Sequence, residues 1–158
     1  MKQIDVLNQV AEFHRTFQHP IEDHPVIPSK ERCNLRISLI REELSELEDA
    51  IEKRDLVQIA DALCDLQYVL TGAVLEFGLG EKFRDLFDEV QRSNLSKACS
   101  TESEARATVR HYHEKENIPS YYKKLNGKYM IYRTEDNKTL KSINYLPANL
   151  KSIIENSL

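Results

Sequence analysis

Glycine is scarce in this 158-residue chain, with 4 residues, and cysteine is scarcer, with 3. So few glycines leave no Gly-rich phosphate loop, and any phosphate would have to be held by cations. Cys33, Cys64 and Cys99 form an odd, widely spaced set without a CxxC pair, which argues against a disulfide framework and against a zinc knuckle. A reducing cytoplasm is the expected location, and Cys64, inside an apolar helix, is expected to be a small buried thiol. No apolar run approaches the ~20 residues of a membrane span, and residues 1–10 lack a signal peptide's apolar core, so no membrane partner is expected. Internal repeats and low-complexity tracts are missing. None of the five histidines (His14, His19, His24, His111, His113) has a Glu three residues before it, which removes the Glu-x-x-His pairs of a di-iron bundle.

What is present is a globular composition, 41% hydrophobic and 30% charged, in a length that suits one domain. Apolar spacing predicts helices over 3–18, 29–52, 56–77 and 81–97, and a polar one over 101–116 lying outside the core. Ser29 and Asp55 are the expected N-caps of the second and third helices, and Gly78 and Gly80 close the third. The second helix should bury Leu35, Leu39/Ile40, Leu44, Leu47 and Ile51. After Pro119 the pattern changes: 128–133 alternates, 135–137 makes a turn, and 139–141 returns as a second strand. The fold expected is all-α, a bundle of four to five helices with a small C-terminal β-hairpin. Residues 1–118 would form the bundle, and residues 119–158 a basic extension of the same domain.

The net charge of -4 is unevenly spread. Residues 120–151 hold seven Lys or Arg against Glu135 and Asp136, or +5, which leaves -9 elsewhere. An acidic body with a basic tail suits a metal site facing a polyanionic small ligand, and suits a nucleic-acid polymer poorly because the body would repel the backbone.

Five carboxylates carry the chemistry. Glu42, Glu43 and Glu46 share one arc of the second helix, and Asp61 and Asp65, four apart, share one face of the third. No Lys, Arg or His lies between Asp55 and Lys82 to neutralise them locally. A short link makes the two helices antiparallel neighbours, which sets Glu43 and Glu46 level with Asp61 and Asp65. The alternative is a solvated acidic face. Converging carboxylates without bases fit a hard divalent cation, Mg²⁺ first and Mn²⁺ second. Two polar, cationic clusters, around Asn94 and Lys97 and around Lys141, Asn144 and Tyr145, could meet phosphate.

The run Glu42-Glu43-Leu44-Ser45-Glu46, a gap, then Asp61-Ala62-Leu63-Cys64-Asp65 resembles the all-α nucleoside triphosphate pyrophosphohydrolases. That group takes in MazG-like proteins, dimeric dUTPases and phosphoribosyl-ATP pyrophosphatases, and its signature is EExxE, a spacer, then ExxD. Asn94 and Lys97 look like the pair that closes the family's fourth helix, and 127–147 is similar to a phosphoribosyl-ATP pyrophosphohydrolase-like branch. The resemblance implies a MazG-like fold and Mg²⁺ (or Mn²⁺) on Glu43, Glu46, Asp61 and Asp65. It implies Glu42 or Glu46 acting on a water, and substrate contacts from Asn94 and Lys97; the charge asymmetry adds the expectation that the basic tail folds over the metal site and brings Lys128, Tyr132, Lys141, Asn144 and Tyr145 to the nucleotide. The resemblance implies further a homodimer or dimer of dimers. The implied activity is hydrolysis of a nucleoside triphosphate, with a non-standard or dUTP-like base, to the monophosphate and pyrophosphate. A phosphoribosyl-nucleotide substrate, or a nonenzymatic assembly protein keeping the fold, are the alternatives. One departure stands out: Ala62 occupies the family's Glu position, with the acid one residue earlier at Asp61.

Overall fold

The computed structural model describes residues 4–155. Along the chain run α1 (Val6–Thr16), α2 (Lys30–Glu52), α3 (Leu56–Glu76), a 3₁₀ turn (Gly80–Lys82), α4 (Phe83–Leu95), α5 (Glu102–Lys115), β1 (Ser120–Leu125), β2 (Lys128–Arg133), β3 (Thr139–Leu140) and α6 (Leu150–Glu155). The mostly helical MazG-like architecture is as expected. Two compact units divide at Phe83/Arg84. Among the described residues no single helix is long and apolar enough to cross a membrane.

In the first unit, side chains cap each helix where the sequence places them. Asp5 accepts from the Asn8 amide, Ser29 from Arg32, and Asp55 from Val57 and Gln58, satisfying N–H groups that have no partner inside the helix. Only Lys53, Arg54 and Asp55 link α2 to α3, and Arg54 turns the chain in the left-handed region (φ 55°). Gly78 ends α3 at φ 64°, where an added Cβ would lie 1.8 Å from the His24 carbonyl oxygen, so only glycine fits. The core of this unit is small: Val10, Ala11 and Leu75, flanked by Leu7 and Ile21.

The expected α2 stripe is corrected by the structure. Leu35, Leu44 and Ile51 are exposed, and the buried α2 residues are Arg36 and Ala50. Cys64 is likewise exposed, not buried, as are Leu63 and Leu70 of α3. The reason is that α2 and α3 meet along a different line, described below.

The second unit is built round α5 and the sheet. Ala105 and Tyr112 of α5 pack with Cys99, Ile131 and Leu140 to form its core, so the helix expected outside the core lies inside one. The expected pairing of β2 with β3 exists (Ile131↔Leu140, Tyr132↔Thr139). The longer hairpin, however, is β1 with β2, Ser120↔Arg133 to Leu125↔Lys128, turning through Asn126 and Gly127. Both turn residues have positive φ (50° and 79°), the geometry an Asn-Gly pair supplies.

Candidate active site

Two antiparallel helices position the first unit's functional side chains. The start of α2 is tied to the end of α3 through Arg32, Arg36 and Glu76, while Glu43 feels Asp61 and Asp65 farther along. The facing residues recur at steps of three and four: Arg32, Arg36, Leu39, Glu43 and Glu46 on α2, and Asp61, Asp65, Tyr68, Gly72 and Glu76 on α3. This is the spacing of a packed helix seam, with ionised and aromatic groups in most of the places where leucine is usual.

At one end of the seam stand the five acids. Glu42, Glu46, Asp61 and Asp65 are exposed and Glu43 is half-buried. Partial burial pushes the Glu43 carboxyl above its ordinary range, and the charges of Asp65, Glu46, Glu42 and Asp61 push it further. The other four acids are thus near enough to act on the Glu43 carboxyl. Among the described residues none of the five is ion-paired to a basic side chain. Nor, among those residues, do any three His, Cys, Asp or Glu side chains already converge closely enough to clasp an ion. The donor set is all oxygen and suits Mg²⁺ or Mn²⁺ in kind; the exposed side chains have room to turn inward. Glu46, Asp61 and Ala62 line one groove of about 320 Å³. Asp61 thus borders the same space as the alanine standing in the family's Glu position.

At the other end lies a cluster that the sequence reading passed over. Glu76 is 1% exposed, and both Arg32 and Arg36 donate to its Oε1, with Arg32 Nε donating to Oε2 at 3.1 Å. Burial alone would raise the Glu76 carboxyl, but the Arg36 and Arg32 hydrogen bonds outweigh it and hold the group below its ordinary value. Buried His14 donates from Nδ1 to the Pro20 carbonyl at 2.8 Å, leaving Nε2 to accept from Arg36 at 3.4 Å. Desolvation holds this imidazole below its ordinary pKa, hence neutral. Gly72 makes the room: a Cβ there would come 2.7 Å from an Arg36 nitrogen. An acid at the apolar C-terminal end of α3, with arginines four apart in the preceding helix, was the available signal.

In the second unit, five predicted substrate residues share one neighbourhood. Lys97 donates to Asn94 Oδ1 (2.8 Å), and its carbonyl accepts from the Ser142 amide (3.0 Å). Lys141 Nζ lies 4.5 Å above the Tyr145 ring, and Tyr145 is bonded to Ser93 at 2.8 Å. The Asn144 amide donates to Ser142 Oγ (3.0 Å). Lys128 and Tyr132 sit elsewhere in this unit: Lys128 at the hairpin turn opposite Leu125, and Tyr132 against Tyr121 with ring centroids 5.6 Å apart.

The family model described as phosphoribosyl-ATP pyrophosphohydrolase matches residues 10–94, which include all five acids, the Arg–Glu cluster and Asn94. "Uncharacterized protein L479" of Acanthamoeba polyphaga mimivirus is 25% identical over an alignment of 236 positions, covering 92% of this chain and 94% of that protein. With the match spanning more than half of its length, and the acid-bearing helix pair at its centre, the chain belongs to the phosphoribosyl-ATP pyrophosphohydrolase family, within the MazG-like nucleotide pyrophosphohydrolases.

Proposed function

We propose that this protein hydrolyses a nucleoside triphosphate between its α and β phosphates, in a divalent-cation-dependent reaction, to a nucleoside monophosphate and pyrophosphate. The carrying observation is the seam of Glu43, Glu46, Asp61 and Asp65, where partial burial and the neighbouring carboxylates raise the Glu43 carboxyl and where no basic side chain of the described residues forms an ion pair. Mg²⁺ or Mn²⁺ held by these four carboxylates would neutralise charge on the phosphate oxygens. Glu42 or Glu46, both exposed, would orient the attacking water and take its proton as oxygen adds to phosphorus and the bond to the departing pyrophosphate breaks. Within the second unit, Asn94, Lys97, Lys141, Asn144 and Tyr145 form a cationic, hydrogen-bonding set of the kind that binds phosphate. A cytoplasmic location follows from such a substrate.

Pyrophosphate release from a nucleotide panel, with Mg²⁺ or Mn²⁺ and with excess chelator, tests this. Loss of activity in chelator and in Asp65→Asn is expected; undiminished activity in either, or none with any nucleotide, refutes it. Phosphoribosyl-ATP belongs in the panel, because the matching family model carries its name.

A further inference from the structure

Between the acids and the Arg–Glu cluster the seam opens into a pocket of about 360 Å³, within the ordinary range of small-ligand sites. Its walls are aromatic and aliphatic. Phe13 meets Tyr68 edge-on at 5.5 Å and stacks on His19 at 5.7 Å, and Leu35, Leu39 and Val69 complete the lining. Its polar end is Arg32 and Arg36. Two features there call for a ligand. Arg36 is 7% exposed, yet its Nε has no hydrogen-bond partner among the described residues, a rare state for a buried charged donor. Two guanidinium groups are also matched by the single carboxylate of Glu76, with the neighbouring His14 held neutral. The excess is one positive charge, and no carboxylate lines the pocket.

Resting on the pyrophosphohydrolase reading, we propose that this pocket receives the nucleobase and that Arg36 selects bases with a carbonyl at purine C6 or pyrimidine C4, hypoxanthine or uracil, over adenine and cytosine, which carry an amino group there. The position is right: Tyr68 follows Asp65 by one turn of α3, and Leu39 precedes Glu43 by one turn of α2, so a base here lies next to the acids where the triphosphate would be held. A flat ring would lie against the apolar wall that Phe13, Tyr68 and Leu39 line. Arginine only donates hydrogen bonds. A ring carbonyl gives Arg36 an acceptor, whereas an exocyclic amino group sets donor against donor and leaves both unsatisfied.

The test uses two pairs that differ at the carbonyl/amino position and the adjacent ring nitrogen: ITP against ATP, and UTP against CTP, compared by kcat/KM on the full chain. Calorimetric binding of the corresponding monophosphates runs in parallel. The carbonyl member should win each pair by about tenfold or more, as expected for a site built round a hydrogen bond. Arg36→Gln, whose amide can both donate and accept, should collapse the ratio. Equal or reversed preference in the wild type overturns the proposal, and so does a ratio that survives in a folded Arg36→Gln. If that variant fails to fold by circular dichroism, the wild-type pairs decide. Should no triphosphate be hydrolysed, the pyrophosphohydrolase reading fails by itself, and the monophosphate pairs still support or refute the pocket.

Discussion

Replacing Glu76 by alanine removes the only carboxylate among the described residues that is ion-paired to the Arg36 guanidinium. The two partners differ in their escape: the Arg32 side chain is 30% exposed and can swing into water, whereas that of Arg36, at 8%, cannot. Breaking a buried pair by removing one partner typically costs about 3–5 kcal/mol, because a charge is left without solvent or counter-ion. At roughly 2–4 °C per kcal/mol for a chain of this size, the melting temperature should fall by about 6–20 °C. Arg32→Ala should cost about 1 kcal/mol, since Arg36 keeps its partner. The decisive comparison is the double variant Arg36→Met/Glu76→Leu, which replaces the pair with apolar volume and should recover much of the loss. Thermal melts followed by far-UV circular dichroism read all four proteins. A Glu76→Ala variant melting within about 2 °C of wild type would refute the claim that this triad holds the helix pair together, as would a double variant no more stable than the single one.

Gly72→Ala forces Arg36 off Glu76 to clear the 2.7 Å approach, and should cost about 1–3 kcal/mol despite alanine's better helix propensity; a raised melting temperature would contradict this. Stability should fall in two stages on acidification. The native state resists protonation of His14, so stability declines as pH drops through the ordinary value of 6.5, at which the unfolded chain takes that proton. It declines again below about 4.5, where carboxylates depressed in the native state, Glu76 and Glu89 (held near 2 by Arg92 and the Asn149 amide), are protonated more readily when unfolded. Melts at pH 8, 6 and 4 check both stages, and His14→Asn should flatten the first. Exposed Leu44, Ile51, Leu63 and Leu70 predict that a second copy covers this helix pair, as a homodimer or dimer of dimers; a stable monomer in sedimentation at micromolar concentration would count against it.

Local chemistry was legible in the sequence and long-range choice was not. Ser29, Asp55 and Thr101 cap their helices because a capping bond spans only two or three residues. Asn126-Gly127 was equally local evidence for β1–β2, but the alternating run at 128–133 drew attention to the shorter pairing with 139–141. The α2 stripe failed for a different reason. That helix carries an apolar line through Leu35, Leu44 and Ile51 and a polar one through Arg36, Glu43 and Glu46; hydropathy favours the first, whereas α3 packs on the second. Likewise α5 looks polar because its buried face uses Ala105, Thr108 and Tyr112, whose polar groups are satisfied within the fold. Glu76 meets Arg32 across 44 residues, a separation that no periodicity encodes.

The two ends of the seam explain each other. Both place ionised groups along the seam; the Glu76 end is buried and would be unstable without counter-charge, whereas at the other end four of the five acids are exposed. At the Glu76 end the chain supplies that counter-charge, with two arginines for one acid. At the Glu43 end it supplies none among the described residues, and the carboxyl responds by holding its proton more tightly. The fold neutralises one buried acid from 44 residues away, yet leaves Glu43 among four like charges. On the proposed reading the counter-charge there is the divalent cation. Its binding to the native state alone would stabilise the helix pair as it completes the site, so the melting temperature should rise with Mg²⁺ or Mn²⁺ concentration in the wild type and rise less in Asp65→Asn.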